Sequence, residues 1–256
     1  MTYCVGLMLD KGLVLMSDTR TNSGVDNISV FRKMHTWAVP GERSITLMTA
    51  GNLATTQSVI SRLEERSKAP DERQNSLMEI PTMFQAACEI GNLLRDTIAG
   101  TQSDNGAQGS GRFTASIILA GQIAGMEPRL FMIYPEGNFI EASFDTPFFQ
   151  IGETKYGRPI LIRGYDRDMS FEDAVKLLMV SFDSTLKANL SVGLPLDLMV
   201  LERDRFEPTH ERRVEASDPY FMEISNSWSE ALRTAFYSLP DYSFAQESGE
   251  DKLSHR

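Results

Sequence analysis

From Thr2 to Leu9, uncharged side chains fall on both sides of a two-residue alternation. Tyr3, Val5, Leu7 and Leu9 take one side; Thr2, Cys4, Gly6 and Met8 take the other. Neither side carries a charge, which predicts a strand covered on both faces. "DKG" supplies a tight turn and "LVLMSD" a second strand, so the chain opens on a predicted hairpin. The polar, turn-rich stretch "TRTNSGVDNIS" predicts a loop. "KMHTWAV" and "SITLMTA", joined by "PGER", predict a second hairpin.

The period then changes. Leu53, Val59, Ile60 and Leu63 share one helical side of "NLATTQSVISRLEERSK", with Asn52 placed to cap it. "PDERQNS" reads as a loop. "IPTMFQAACEIGNLLRDTIAG" predicts a second helix, with Pro81 near its start and Gly100 just past its end. The glycine-rich "TQSDNGAQGSGR" predicts a mobile loop, and it lacks the lysine that a phosphate-binding loop needs. Four strands follow: "FTASIILAG", "RLFMIYP", "NFIEAS" and "PFFQIG". After them come two helical segments, "TKYGRPILIRGY" and "SFEDAVKLLMVSFDSTLKA". Ser170 caps the second of these, with Asp173 three residues on, close to a capping box. "LDLMVLE" and "HERRVEA" are closing strands, "PYFMEISNSWSEALRTAFYSL" is a last amphipathic helix, and "SFAQESGEDKLSHR" has the composition of a disordered tail.

Strands, two helices, strands, two helices, strands: this order buries every apolar stripe if two antiparallel sheets pack face to face with helices on each outer face. The predicted fold is α+β, a four-layer αββα sandwich. Residues 1–216 form its single domain, 217–238 an added C-terminal helix and 239–256 a tail.

Composition narrows the function. A formal charge of −10, with no basic patch, argues against a nucleic-acid or anionic-membrane partner. The two cysteines, Cys4 and Cys88, sit in apolar periodic segments and read as reduced core thiols. No basic residue precedes the first apolar run, Asp10-Lys11 interrupts it, and no stretch approaches about 20 apolar residues. The expectation is a cytoplasmic protein.

Histidine chemistry has little to work with. There are three histidines: His255 in the tail, His210 in a charged stretch, and His35 alternating within a strand. No His, Cys and Asp cluster has metal spacing. The N-terminus offers another route. A free α-amine has a pKa of about 7.7–8.0, low enough to be neutral near pH 7 and accept a hydroxyl proton. A threonine at the first position therefore carries nucleophile and base in one residue. Met followed by a small residue is a start that cells trim, which would make Thr2 that residue. Asp18 ends the strand paired with the first and is expected level with Thr2. Lys33 opens the next strand, where its ammonium would lower the pKa of a nearby amine. Gly51, just before a helix, could offer a backbone N–H to an oxyanion. Each also has a plain explanation: an edge-strand residue, a strand-end turn, a solvated charge and a strand-to-helix turn.

"GLVLMSDTRT", "FRKMHTW" and "LMTAGNLATTQ" together resemble the start of proteasome β subunits and their bacterial relatives. The "MTYCVG" start and the added C-terminal helix resemble the bacterial Anbu branch of that superfamily. The pattern spans roughly residues 2 to 205, and its first fifty residues are the specific part. The resemblance implies Thr2 as N-terminal nucleophile, Asp18 and Lys33 as the charged pair that tunes it, and Gly51 as oxyanion donor. It implies a structural role for Arg20, and a role for Ser191, in "KANLSVG", in holding the threonine amine. It implies no cofactor or metal, a peptide or amide substrate, and homo-oligomers that form rings or open helices. No ATPase or other delivery partner can be named from it.

Three departures bear on activity. Where active β subunits have a serine in a Gly-Ser-Gly turn, this chain has Glu153. Its carboxylate could accept bonds from the α-amine and weaken it as a base, serve a different substrate, or simply face a helix start. The aspartate expected near Ser191 is replaced by Ala188, with the uncharged Asn189 beside it. The expectation is a start without a propeptide, in which removal of Met1 would suffice to expose Thr2. The leading reading is an N-terminal threonine hydrolase. A scaffold with a weak or silent site, and a small-molecule amidase or amide transferase on the same fold, stand as alternatives.

Overall fold

A computed structural model describes residues 1–22, 28–68, 76–105 and 113–243. The stretches predicted as loops at 70–75 and 106–112, and the tail from 244, lie outside the described residues, as do 23–27.

Strands β1 (Tyr3–Leu9) and β2 (Gly12–Asp18) form the expected hairpin, with Cys4 opposite Ser17. Every residue of both strands is buried, as an uncharged alternation requires. The predicted loop after Asp18 instead contains two short antiparallel strands, β3 (Arg20–Asn22) and β4 (Ile28–Val30). The second predicted hairpin is present as β5 (Met34–Val39) and β6 (Arg43–Gly51).

Helix α1 (Leu53–Lys68) starts where Asn52 caps it: Asn52 Oδ1 accepts the Thr55 N–H at 3.0 Å. Helix α2 (Met83–Asn105) does not stop at Gly100. That glycine faces open space, so the helix carries it at a cost of only about 1 kcal/mol. Strands β7 (Ala115–Ile123), β8 (Arg129–Ile133), β9 (Phe139–Glu141) and β10 (Phe148–Gly152) follow. Helix α3 (Arg158–Gly164) is shorter than its segment suggests. Helix α4 (Phe171–Ala188) is capped by Ser170, whose side chain accepts the Asp173 N–H. Strands β11 (Leu196–Glu202) and β12 (His210–Val214) lead to helix α5 (Pro219–Tyr237), capped by Asp218.

One sheet runs β10-β1-β2-β11-β12 and the other β5-β6-β7-β8-β9, with antiparallel pairs throughout. Alternation sends each strand's residues to two cores. Cys4, Leu13, Leu15, Met48, Ile118 and Leu130 fill the space between the sheets. Tyr3, Val5, Val14 and Met16 meet α3 and α4 on one outside; Ile45, Leu47, Ile117 and Phe131 meet α1 and α2 on the other. This is the four-layer sandwich. Gly6 lets the layers close, since a Cβ there would lie 2.9 Å from Leu130. Cys4 is buried, Cys88 half-buried, and both are free thiols. No helix among the described residues is long and apolar enough to cross a membrane.

Candidate active site

The start of β1, the turn after β2, the start of β5 and the end of β6 meet at one edge of the inter-sheet layer. There they line a cavity of about 680 Å³ with Met1, Thr2, Lys33, Gly51 and the first turns of α1. Thr2 is 9% exposed at its wall; Met1 ahead of it is 61% exposed.

Behind Thr2 lies a buried ion pair. Lys33 Nζ donates to Asp18 Oδ1 at 2.7 Å, and the two residues are 5% and 0% exposed. Lys33 also donates to the Arg20 carbonyl at 2.6 Å. Asp18 Oδ1 accepts the Tyr3 N–H at 2.9 Å and Oδ2 the Gly193 N–H at 3.4 Å. Burial pushes the Asp18 carboxyl above its ordinary range, while Lys33 and the two N–H groups pull it back. The register sets Asp18 opposite Tyr3 and not, as expected, level with Thr2. The carboxylate thus grips the residue after the threonine and holds the lysine at the wall of the same cavity.

The α-amine of Met1 is lowered by burial and by Lys33, while Asp18 and Glu153 oppose that shift. So the charges facing the N-terminus are these three. Gly51 has φ +118, and a Cβ there would lie 2.4 Å from the Thr114 carbonyl oxygen. Only glycine fits this strand-to-helix turn.

On the other side of Thr2, the Glu153 N–H donates to the Thr2 carbonyl at 2.6 Å. Gly152 makes that approach possible: its φ is +84, and a Cβ would sit 2.0 Å from the Thr2 oxygen. Glu153 does not open α3, which begins at Arg158. Its buried carboxylate accepts the Lys155 N–H at 2.9 Å and Asn189 Nδ2 at 3.0 Å. Asn189 Oδ1 in turn accepts the Ser191 N–H at 2.9 Å. Ser191 therefore joins this side through its backbone, with Asn189 as the link. Ala188 is the last residue of α4. Arg20 reaches away from the cavity to the Leu190 carbonyl at 3.0 Å and lies flat on Gly193, where a Cβ would be 2.0 Å from Nε. It braces the loop that carries Asn189 and Ser191.

The chain matches known proteins in family and fold. The family model described as "Proteasome subunit" matches residues 2–199. The chain belongs to the proteasome subunit family. Anbu (ancestral beta-subunit) from Yersinia bercovieri is 46% identical, over 94% of this chain and 99% of that one, with a TM-score of 0.87. The Anbu chain of a helical assembly from Pseudomonas aeruginosa is 43% identical, over 94% and 98%, with a TM-score of 0.88. Proteasome subunit beta of Methanocaldococcus jannaschii is 25% identical over 214 residues, covering 84% of this chain and 87% of its own length.

Two groups at the site escape sequence reasoning. Gly152 and Gly193 are needed for close approach to Thr2 and Arg20, which no local pattern announces. The link from Glu153 through Asn189 to Ser191 joins a strand end to a helix end 36 residues later in the chain. Its one visible signal is the amide of Asn189, next to the Ala188 that stands where the family pattern leads one to expect a carboxylate.

Proposed function

We propose that this member of the proteasome family is an N-terminal threonine hydrolase acting on peptide or amide bonds. The observation that carries the reading is the meeting of Thr2, the buried Asp18–Lys33 pair and Gly51 at one cavity. With Met1 removed, the Thr2 amine would lie near Lys33, whose charge favours its neutral form. That amine takes the proton from the Thr2 hydroxyl as Oγ attacks the substrate carbonyl carbon. The Gly51 N–H, at the positive end of α1, receives the developing oxyanion. The amine returns its proton to the leaving nitrogen, the C–N bond breaks, and an ester remains on Thr2. Water, deprotonated by the same amine, attacks the ester carbonyl carbon; the C–Oγ bond breaks, the amine returns the proton to Thr2 Oγ, and the acyl group leaves as a carboxylic acid.

Self-assembly belongs to the same reading. The Pseudomonas relative forms a helical assembly, and Leu232, Phe236 and Tyr237 stand exposed here on α5. A cytoplasmic setting fits the free thiols. A second reading, a scaffold with a weak or silent site, draws on Glu153, whose anion beside the N-terminus favours the protonated amine. Thr2→Ala separates the two. Turnover of peptide and acyl-amide substrates is expected to fall to background while particle size by light scattering stays unchanged. Turnover that survives the substitution would remove Thr2 from the chemistry, and a panel of peptides against small amides decides the substrate class.

A further inference from the structure

We infer that the Tyr3 hydroxyl is a positioning group for Thr2, acting through the 153–157 loop. This rests on the hydrolase reading above for its effect on rate, though not for its effect on structure. Tyr3 follows the proposed nucleophile directly. Its backbone N–H is held by Asp18, and its ring packs 4.4 Å from Phe182 of α4 in the outer core. The hydroxyl, also buried, meets Gln150 Nε2 at 2.7 Å and Ser181 Oγ at 2.7 Å, with the Thr185 side chain also in hydrogen-bond contact.

Ser181 spends its single proton on the Gly157 carbonyl at 3.0 Å. With that proton on Gly157, the Ser181 oxygen can accept the Tyr3 O–H, and the phenol oxygen can accept from Gln150. Burial pushes the phenol up to about 12, so it keeps that proton at neutral pH. Gly157 has no room for a side chain: a Cβ would fall 2.2 Å from the Tyr3 hydroxyl and 2.4 Å from Ser181 Oγ.

These contacts close a ring around the front of the chain. Thr2 leads covalently to Tyr3. The Tyr3 hydroxyl leads through Ser181 to Gly157, at the far end of the loop. The loop leads back to Glu153, whose N–H holds the Thr2 carbonyl at 2.6 Å. Removing one hydroxyl opens the ring without removing a residue from the cavity. Thr2 would still be present, but its carbonyl clamp would sit on a loop with a free far end. A small loss of alignment at a nucleophile is felt in rate more than in binding.

The test compares wild type with Tyr3→Phe and Ser181→Ala, which open the ring at two different points. Inactivation by a peptide epoxyketone gives a maximal rate constant and a half-saturating concentration. Amide hydrogen exchange follows residues 153–157. In both variants the rate constant is expected to fall about tenfold with half-saturation unchanged, and exchange at 153–157 to quicken while β1, β2, β6 and β7 stay as in wild type. Unchanged exchange in that loop, or exchange quickened equally through the sheets, would overturn the inference and leave Tyr3 as an ordinary core residue. If wild type with Met1 removed is not labelled at all, the hydrolase reading fails, and exchange alone still decides whether Tyr3 fixes the loop.

Discussion

Lys33 and Asp18 show how much depends on two side chains. Both are buried, and each is the other's countercharge. Replacing Asp18 by Asn would leave an ammonium in the interior with no anion beside it. That should cost about 3–5 kcal/mol in urea denaturation, and a cost below about 1 kcal/mol would mean the pair is far more hydrated than the geometry indicates. Glu153 tests the base. Its anion is one of the groups that raise the Met1 amine, against burial and Lys33, and a Thr2 amine exposed one residue on would face the same charges. In Glu153→Gln the ammonium form loses that support, so the amine gives up its proton at lower pH. The acidic limb of the pH–rate profile is expected to move to lower pH, with the neutral amine present over a wider range. A limb that stays in place would show that the carboxylate is spent wholly on Lys155 and Asn189.

Among the elements, those governed by local chemistry are legible from sequence. The uncharged alternation of Tyr3 to Met8 gives a strand buried on both faces, and Asn52 and Ser170 mark two helix starts by their side-chain oxygens. Where local signals compete with the rest of the fold, the reading fails. Gly100 looks like a helix stop, yet α2 runs on to Asn105 because nothing crowds an exposed glycine and the turns on either side hold it. Arg20–Asn22 and Ile28–Val30 look like loop because polar residues can pair as strands only when a partner is supplied. At the site, residue types are legible and alignments are not. Asp18 and Lys33 are visible as candidates, but a one-residue offset puts the carboxylate opposite Tyr3, and the Glu153–Asn189 link needs the folded chain. The cap at α1 belongs to this scale too, since it holds the helix end that faces the cavity. Asn52→Ala should cost about 1 kcal/mol in denaturant unfolding; no measurable loss would mean that water replaces the side chain at that helix end.

At the scale of the whole molecule, the sandwich explains why the residue ahead of β1 can become part of a site. Two sheets with helices outside leave β1 and β2 buried on both faces, so their ends are rigid. Thr2 lies at the edge of that rigid layer, with a cavity on one side and the loop after β10 on the other. The central claim is that the chain's second residue, once exposed as the first, is a working nucleophile. Its most direct test is the intact mass of the protein purified from cells, before and after incubation with a peptide epoxyketone, with the adduct mapped by fragmentation. That reagent closes its ring on a free α-amine and the hydroxyl beside it. The account predicts a chain lacking Met1 that gains one adduct, located on Thr2. A chain that retains Met1, or one that lacks it and stays unlabelled across a panel of such peptides, would contradict the account and put the scaffold reading in its place.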